Sequence, residues 1–302
     1  MKESNTVVKN SPKAWILASR PKTLTGAAVP VMIGVSMAYA DNIHYGIGVL
    51  PAVLCFLFAF IMQIDANFVN DYFDFQKGND DETRLGPRRA CAQGWVSVGR
   101  MRWAIAYTTL LACVVGLPLI IFGGVEMLLV GVICIAGCFV YTTHLSAKGL
   151  GDLLVLMFFG IVPVCVTYYI LTSTLTFTVF LASLACGMVI DTLLIVNNYR
   201  DIDNDRRVGK NTLVVMLGAK RAELLYLLAG FTAVMSGVVF VLDGKPFAFF
   251  LPFLYALIHF ITYRKMSRIR KGKALNLILG ETARNIFIYG LLVTAGILTS
   301  LI

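Results

Sequence analysis

The stretch NFVNDYFDFQKGNDD, residues 67–81, follows a long apolar run and is rich in oxygen-bearing side chains. Within it, Asn67 lies four residues before Asp71, and Asp71 lies three before Asp74. Residues three and four apart share one face of a helix, so this spacing predicts a stripe of amide and carboxylate oxygens.

A second stretch, NNYRDIDNDRRVGKNTL at residues 197–213, repeats the pattern. Asn198, Asp201 and Asp205 are three and four residues apart, and they too fall on one helix face. An apolar run precedes each stretch and a basic, glycine-containing loop follows each one. The similarity hints at an internal duplication, although the two stretches are not alike enough to establish one.

Oxygen ligands without histidine or cysteine favour Mg²⁺ or Ca²⁺ over zinc or copper. Mg²⁺ takes one or two carboxylates and completes its shell with water and phosphate oxygens. Basic side chains interleaved with the aspartates can bind an anion that the metal bridges; they are Arg84, Arg88, Arg89, Arg206, Arg207 and Lys210. The combination predicts a diphosphate site. Helix caps and solvated loop residues would explain one such stretch equally well, but they explain two less readily.

The elements that must position these residues are membrane helices. Hydrophobic residues make up 58% of the 302 residues and charged residues 14%, against about 45–50% and about 25% in soluble domains. Nine apolar runs approach the length of about 20 residues that spans a bilayer. They lie at 14–40, 46–72, 103–122, 126–143, 152–172, 176–199, 222–242, 247–263 and 284–301. We predict an all-α, polytopic membrane protein with one domain, residues 1–302, and a polar tail at 1–13.

The positions of Lys and Arg set the expected orientation. With nine spans and a cytoplasmic N-terminus, 25 of the 26 Lys and Arg residues lie inside and only Lys245 lies outside. Positive residues concentrate on the cytoplasmic side of membrane proteins, so the C-terminus is expected outside. Both acidic stretches then end spans at the cytoplasmic face. The net charge of +9 suits an anionic leaflet or an anionic substrate, and no nucleic-acid partner is expected.

Four longer motifs resemble the UbiA superfamily of intramembrane aromatic prenyltransferases. They are RPKTLTGAAVPVMIG at 20–34, NDYFDFQKGNDD at 70–81, RLGPRR at 84–89 and NNYRDIDNDRRVGKNTLVVMLG at 197–218. The resemblance covers residues 19–218, with the motifs in the family's order. Where other branches of the superfamily have an aspartate, this chain has Gly78, and the next acidic residue is Asp80. This arrangement resembles the branch that prenylates 1,4-dihydroxy-2-naphthoate.

The resemblance implies nine helices around a central cavity, with both aspartate motifs at its cytoplasmic mouth. It implies an enzyme of the cell (inner) membrane that uses Mg²⁺, a polyprenyl diphosphate and an aromatic acid within the lipid bilayer. In the naphthoate branch the prenyl chain replaces the carboxylate, which gives demethylmenaquinone, CO₂ and diphosphate. Protein partners, oligomeric state and prenyl length are not indicated.

The family pattern also suggests roles for individual residues. The principal Mg²⁺ ligands and catalytic residues expected are Asp71, Asp74, Asp201 and Asp205, helped by Asn67, Asn70, Asp80 and Asn198. The residues expected at the diphosphate are Arg84, Arg89, Lys148 and Lys210. Those expected at the acceptor are Arg20, Lys22, Tyr72 and Tyr141. The loop that contains Tyr141 and Lys148 is shortened after Lys148 relative to the family, which weakens those two assignments.

Other functions remain open at this point. Within the superfamily, 4-hydroxybenzoate polyprenyltransferase is the main alternative, and haem farnesyltransferase and chlorophyll synthase fit the motifs less well. A cation-coupled transporter with two acidic half-sites is an alternative of another class. A transporter of this kind would be expected to have acidic residues near the middle of the membrane and broken helices.

Overall fold

A computed structural model of the chain describes residues 7–78, 85–141, 145 and 148–301. These residues are predominantly helical and include no β-strand. Helices satisfy their own backbone hydrogen bonds, as the interior of a bilayer requires. The prediction of an all-α, multi-pass membrane protein is confirmed.

The first membrane segment is broken near its start. Helix α1 (Pro12–Ser19) is capped by the Ser11 hydroxyl, and α2 (Thr25–Asp41) continues after a bend of 50°. Between them Arg20 has a left-handed backbone (φ 50°, ψ 70°), and Pro21–Thr23 forms a 3₁₀ turn. A residue that precedes proline is disfavoured in the right-handed helical region, so the helix stops here.

The other helices follow in chain order. They are α3 (Val49–Gln76), α4 (Val98–Gly116), α5 (Ile120–Gly123), α6 (Glu126–Val140), α7 (Gly151–Val155), α8 (Val162–Thr172), α9 (Phe177–Arg200), α10 (Ile202–Arg207), α11 (Leu213–Leu217), α12 (Ala219–Ser236), α13 (Val238–Leu242), α14 (Pro246–Phe250), α15 (Phe253–Ile269) and α16 (Leu275–Thr299). A 3₁₀ turn (Leu117–Leu119) joins α4 to α5, and a π-helical turn (Leu156–Ile161) joins α7 to α8.

Each of the nine predicted runs corresponds to a helix or to a pair of joined helices. Within the described ranges, seven segments are long and apolar enough to cross a bilayer, and the bent pair α1–α2 makes an eighth. Helix α6 has 15 residues, about 22 Å at 1.5 Å per residue, whereas the hydrocarbon core is about 30 Å thick. In the part of the chain that the structure describes, the number of full-length spans is therefore seven or eight rather than nine.

Helix α9 lies at the centre of the bundle, where it packs against α2, α12 and α16. It is the most deeply buried of the candidate spans. Small residues permit its closest approach: a Cβ on Gly160 would lie 2.6–2.9 Å from Ser183 O and from the Gly187 backbone. Glycines let transmembrane helices come this close. The close packing fixes α9, and with it the second acidic stretch, against the span formed by α7, the π-helical turn and α8.

Candidate active site

A cavity of about 680 Å³ lies within the bundle and reaches both acidic stretches. Its polar end is lined by Arg20, Asn70, Asp74, Arg89, Asp152, Asn197, Asn198 and Lys210, and its apolar part by Phe58, Met62, Leu117, Met127, Val166 and Ile170 among others. Helices α3 and α9 thus end at the same part of the cavity, as their predicted parallel orientation requires. The cavity, called the chamber below, therefore has a charged end and an apolar part, which we call the bore.

The first acidic stretch presents Asn70 and Asp74 to the cavity. These residues are four apart near the end of α3, so they lie one above the other on a single face. The Arg89 guanidinium donates to Asp74 Oδ2 at 2.9 Å. Arg89 also lines the cavity and is 9% exposed. A carboxylate and a cation are therefore paired at the rim of the chamber.

Asp71 has a different environment, although it is only three residues from Asp74. Its side chain is 1% exposed, and its carboxylate accepts from the N–H groups of Ala90 (2.8 Å) and Cys91 (2.9 Å). Both oxygens hold the backbone immediately after Arg89. Asp71 therefore fastens the segment that carries Arg89 to Asp74.

Asn67 supports the break in the first span. Its Nδ2 donates to the Ser19 carbonyl (2.8 Å) and to Thr23 Oγ1 (3.0 Å), and the side chain is buried. Arg20, which lies between those two residues, reaches the Asn67 carbonyl at 3.5 Å and lines the cavity. The amide of Asn67 thus fixes the place from which Arg20 enters the chamber.

The second acidic stretch is organised by Arg200, a buried residue that the sequence analysis did not single out. Its Nε and Nη2 donate to the two oxygens of Asp201 at 2.9 and 2.6 Å. It also donates to Asn197 Oδ1 at 2.8 Å. This two-pronged contact is the strong geometry for an arginine–carboxylate pair. It gives the Asp201 carboxylate a charged partner within its own helix end.

Asp205 lies in α10 and is 5% exposed. Its Oδ1 is 4.0 Å from Lys210 Nζ, and its carbonyl accepts from the Lys210 N–H at 2.8 Å. Lys210 lines the cavity. Asp205 is therefore placed to hold a cation that faces the chamber.

One side chain connects the two stretches. Asn276, in the first turn of α16, accepts from Arg200 Nη1 at 2.9 Å and donates from Nδ2 to the Leu85 carbonyl at 2.8 Å. Leu85 lies between the first stretch and Arg89 in the sequence. The last span therefore ties the second stretch to the loop that follows the first.

The remaining predicted residues differ in whether they lie at the cavity. Tyr141 lines the cavity as expected. Tyr72 packs instead in an apolar cluster, with its ring 5.2 Å from that of Phe73.

Two predicted cations are not among the residues that line the chamber. Lys148 is exposed, and so is Lys22, which borders a separate groove beside Asn276 and Arg284. Asp80 and Arg84 lie outside the described residues. The described structure does not place Lys22, Lys148 or Tyr72 at the chamber, and the roles of Asp80 and Arg84 stay predictions.

Sequence reasoning overlooked two acids in the membrane-spanning part of the chain. Asp152, in the first turn of α7, lines the cavity, and Asp191 lies inside α9; each is 7% exposed. The signal was available, because carboxylates inside apolar spans are rare and usually functional or paired. A third such acid, Asp65, has protein partners: Thr108 donates to it and Thr109 donates at 2.9 Å.

The oxygen donors around the chamber suit a divalent ion that shares its ligands with a substrate. In the ranges the structure describes, no three Asp, Glu, His or Cys side chains converge to hold a metal by themselves. The oxygen donors that line its polar end include the carboxylates of Asp74 and Asp152 and the amides of Asn70, Asn197 and Asn198. Such a sparse oxygen set fits Mg²⁺, which relies on water and phosphate for the rest of its shell.

Comparison with known proteins adds an independent line of information. A model of the UbiA prenyltransferase family matches residues 27–295. The chain is 33% identical over 237 residues to the 1,4-dihydroxy-2-naphthoate octaprenyltransferase of Haemophilus influenzae, with 74% of this chain and 75% of that protein covered. It is 36% identical over 219 residues to the Escherichia coli protein of the same name, with 70% of each covered.

Two solved structures share the arrangement of helices. A UbiA homolog from Aeropyrum pernix K1 superposes with a TM-score of 0.68 at 17% identity, covering 92% of this chain and 98% of that one. A UbiA homolog from Archaeoglobus fulgidus, bound to DMAPP and Mg²⁺, gives 0.65 at 14% identity and covers 93% and 99%. At these identities the likeness concerns the fold alone.

Proposed function

Because the chain belongs to the UbiA prenyltransferase family, we propose that it transfers a polyprenyl group from polyprenyl diphosphate to 1,4-dihydroxy-2-naphthoate. The products would be CO₂, diphosphate and the prenylated naphthalenediol, which is demethylmenaquinone in its reduced form. The observation that carries the proposal is one chamber in which both acidic helix ends meet an apolar bore. The choice of acceptor is supported by the names of the Haemophilus and Escherichia relatives.

The residues that would hold Mg²⁺ are those of the two acidic stretches whose side chains line the chamber. Asp74 would supply the carboxylate, and Asn70, Asn197 and Asn198 the amides. When bound, Mg²⁺ would neutralise the charge that grows on the leaving diphosphate. Asp71 and Asp201, predicted as principal ligands, have their oxygens occupied by backbone N–H groups and by Arg200. We assign them the role of positioning Arg89 and the end of α9.

The diphosphate would be bound by the cations at the polar end. Arg89 and Lys210 line the chamber, and each lies beside an aspartate that fixes its position. Arg20 reaches the same end from the break in the first span. Preorganised donors of this kind stabilise charge as it develops on a leaving group.

The prenyl chain would lie along the apolar bore, which keeps water from the allylic cation. A cavity of about 680 Å³ is of the size that holds a small ligand, about 300–1,000 Å³, so a long polyprenyl tail must continue into lipid. Helix α6 forms part of the bore and has no buried residue. The wall of the chamber is therefore thin beside α6, and this is where we place the passage for the tail.

We further propose that the whole chain forms one intramembrane domain in the cell (inner) membrane, with the acidic helix ends facing the cytoplasm. The distribution of Lys and Arg supports this orientation. Lys245, the only basic residue assigned to the outside, pairs with Asp41 at 2.9 Å, and Asp41 is the last residue of α2, which starts just after the break at Arg20. Lys245 thus lies at the far end of the first span from the chamber's polar end.

The test is a transfer assay with purified protein in detergent, one polyprenyl diphosphate and Mg²⁺. The protein is offered 1,4-dihydroxy-2-naphthoate or 4-hydroxybenzoate, and products are identified by mass. A prenylated, decarboxylated naphthalene with no hydroxybenzoate adduct is expected. Prenylation of hydroxybenzoate alone would keep the transfer chemistry and overturn the acceptor. If neither product forms, with the folded protein and both substrates present, the proposal is overturned.

A further inference from the structure

A second groove lies between the start of the first span and the last span, and no residue lines both it and the chamber. Its volume is about 480 Å³, and it is bordered by Lys22 and Thr25 on one side and by residues of α16 on the other. The break in the first span turns neighbouring cations into different cavities, because Arg20 lines the chamber and Lys22 lines the groove.

Two cations border this groove without a carboxylate to neutralise them. Among the described residues Lys22 has no ion pair, and the Arg284 guanidinium donates to the side-chain oxygen of its neighbour Asn285 at 3.1 Å. Both cations are exposed. Glu281, the acid among the residues that line the groove, is already paired with Lys265 at 2.7 Å. The groove therefore has an excess of positive charge.

Arg284 lies inside a membrane span. It is nine residues after Leu275, the first residue of α16, which is about 14 Å along the helix axis. Cations inside a span are rare, and they usually have a partner or a function. A long basic side chain at this depth extends towards the headgroups, so the guanidinium reaches the level at which lipid phosphates lie.

The rest of the border of the groove includes apolar side chains that face lipid. Leu277 is 63% exposed and Phe287 is 39% exposed, and both belong to the candidate span Leu275–Thr299. A ligand that matches the groove therefore combines an anionic group with a hydrocarbon part. A free phosphate ion would contact the cations alone.

Gly280 keeps the middle of the groove open. It lies in the interior of α16, where glycine is less favourable than alanine. A Cβ at this position would meet no packed neighbour within 4 Å. The packing of the protein therefore does not require glycine here, whereas a ligand that lies against the helix backbone would require it.

We propose that this groove binds an anionic phospholipid, with its phosphate between Lys22 and Arg284 and an acyl chain along Leu277 and Phe287. Basic pockets between membrane helices bind anionic headgroups in this way. The bound lipid joins the turn after α1 to the last span and so stabilises the fold. This inference does not depend on the proposed function, because it concerns binding and not prenyl transfer.

The experiment is thermal unfolding of the purified protein in a non-ionic detergent. Phosphatidylglycerol, which is anionic, is titrated into the micelles and compared with phosphatidylcholine, which is zwitterionic, and with inorganic phosphate. The test variant is Lys22→Gln/Arg284→Gln. The matched control, Lys220→Gln/Arg264→Gln, removes two exposed cations that are assigned to the same side of the membrane and do not border the groove.

Phosphatidylglycerol is expected to raise the unfolding temperature of the wild type and of the control. In Lys22→Gln/Arg284→Gln, the mole fraction of phosphatidylglycerol that gives half of the shift should rise at least about 10-fold, because each cation attracts the anionic headgroup. Equal titrations of the two double variants would show attraction to the basic face as a whole and overturn the groove as the site. The proposal also fails if the wild type does not respond, or if phosphatidylcholine or inorganic phosphate gives an equal shift.

A further variant fills the groove and keeps both cations. Gly280 and Arg284 are four residues apart on one face of α16, so Gly280→Leu places a side chain in the open space beside the guanidinium. The variant should fold, because leucine is favourable in a helix and the Cβ meets no packed neighbour. It should weaken the response to phosphatidylglycerol at least about 10-fold, like the double variant. An unchanged titration in Gly280→Leu would show that the lipid does not lie against α16.

Discussion

The two acidic helix ends look alike in sequence but are held in place by different means. At the end of α3, Asp71 is held by the backbone N–H groups of Ala90 and Cys91, some twenty residues further along the chain. At the end of α9, Asp201 is held by the side chain of its neighbour Arg200. The first end is thus organised by a loop and the second by a buried cation.

The comparison shows that an aspartate-rich motif divides its residues between support and chemistry. In the first stretch one aspartate fastens a loop and the other, Asp74, lines the chamber. In the second stretch the aspartates hold Arg200 and Lys210, and the asparagines line the chamber. If this division is right, substitutions at equivalent-looking aspartates will have different consequences.

The largest effect on activity is expected at Asp74. Asp74→Asn removes the carboxylate that faces the chamber and the partner of Arg89, so turnover should fall by about 10²- to 10³-fold. The Mg²⁺ concentration that gives half-maximal activity should also rise. The measurement is a Mg²⁺ titration of product formation, with thermal unfolding to show that the protein remains folded.

Asp203→Asn is the matched control for Asp74→Asn, because Asp203 is an acidic residue of the second stretch that pairs on the surface with Lys271 at 3.0 Å. It should leave both turnover and the Mg²⁺ titration within about twofold of the wild type, since exposed ion pairs contribute little. Near-normal turnover in Asp74→Asn would remove this residue from the proposed metal site.

A large effect on stability is expected at Asp201. Asp201→Ala leaves the buried Arg200 guanidinium without its carboxylate, and breaking a buried ion pair of this kind costs about 3 kcal/mol. The check is unfolding in detergent. The double variant Arg200→Met/Asp201→Ala should recover much of the loss, because no uncompensated charge remains. A single variant as stable as the wild type would show that Arg200 does not depend on Asp201.

Asp71 should show an intermediate effect with a different signature. Asp71→Ala leaves two buried N–H groups without an acceptor, which should lower the free energy of unfolding by about 1–3 kcal/mol. It also removes the contacts that hold the segment positioning Arg89. Turnover should fall about 10-fold or more, whereas the Mg²⁺ concentration for half-maximal activity should not move. Asp71→Asn retains one acceptor oxygen and should lose less. A shift in the Mg²⁺ titration with Asp71→Asn would restore Asp71 as a metal ligand.

The smallest effects are expected at the two exposed lysines that were predicted near the substrates. Lys22→Ala and Lys148→Ala should each leave KM for the prenyl diphosphate within about twofold of the wild type, because neither lysine lines the chamber. Lys210→Ala, which removes a cation that does line it, should raise that KM about 10-fold. A tenfold rise with Lys148→Ala instead would assign Lys148 to the diphosphate.

The sequence was sufficient to predict the helical fold and the common direction of α3 and α9. Both follow from the length of the apolar runs and from the number of spans between the acidic stretches. The break at Arg20 could also have been anticipated from Pro21. The central cavity was predicted only through the family resemblance.

The division of roles among the aspartates could not be predicted from the sequence. Spacings of three and four leave two side chains as much as about 60° apart around a helix, enough to turn Asp71 towards the loop and Asp74 towards the chamber. The partners of Asp71 lie in an irregular segment that carries no periodic signal. Asp191 was missed because it interrupts a single apolar run and has no motif around it.

The contact made by Asn276 limits which sequences this fold can tolerate. One amide is used in both directions, as acceptor for Arg200 and as donor to the Leu85 carbonyl. A carboxylate of the same shape would keep the first bond and repel the carbonyl, and an aliphatic side chain would lose both. In a saturation library scored for function, position 276 should therefore behave as a nearly fixed residue, although it lies in the last span, far along the chain from either aspartate motif.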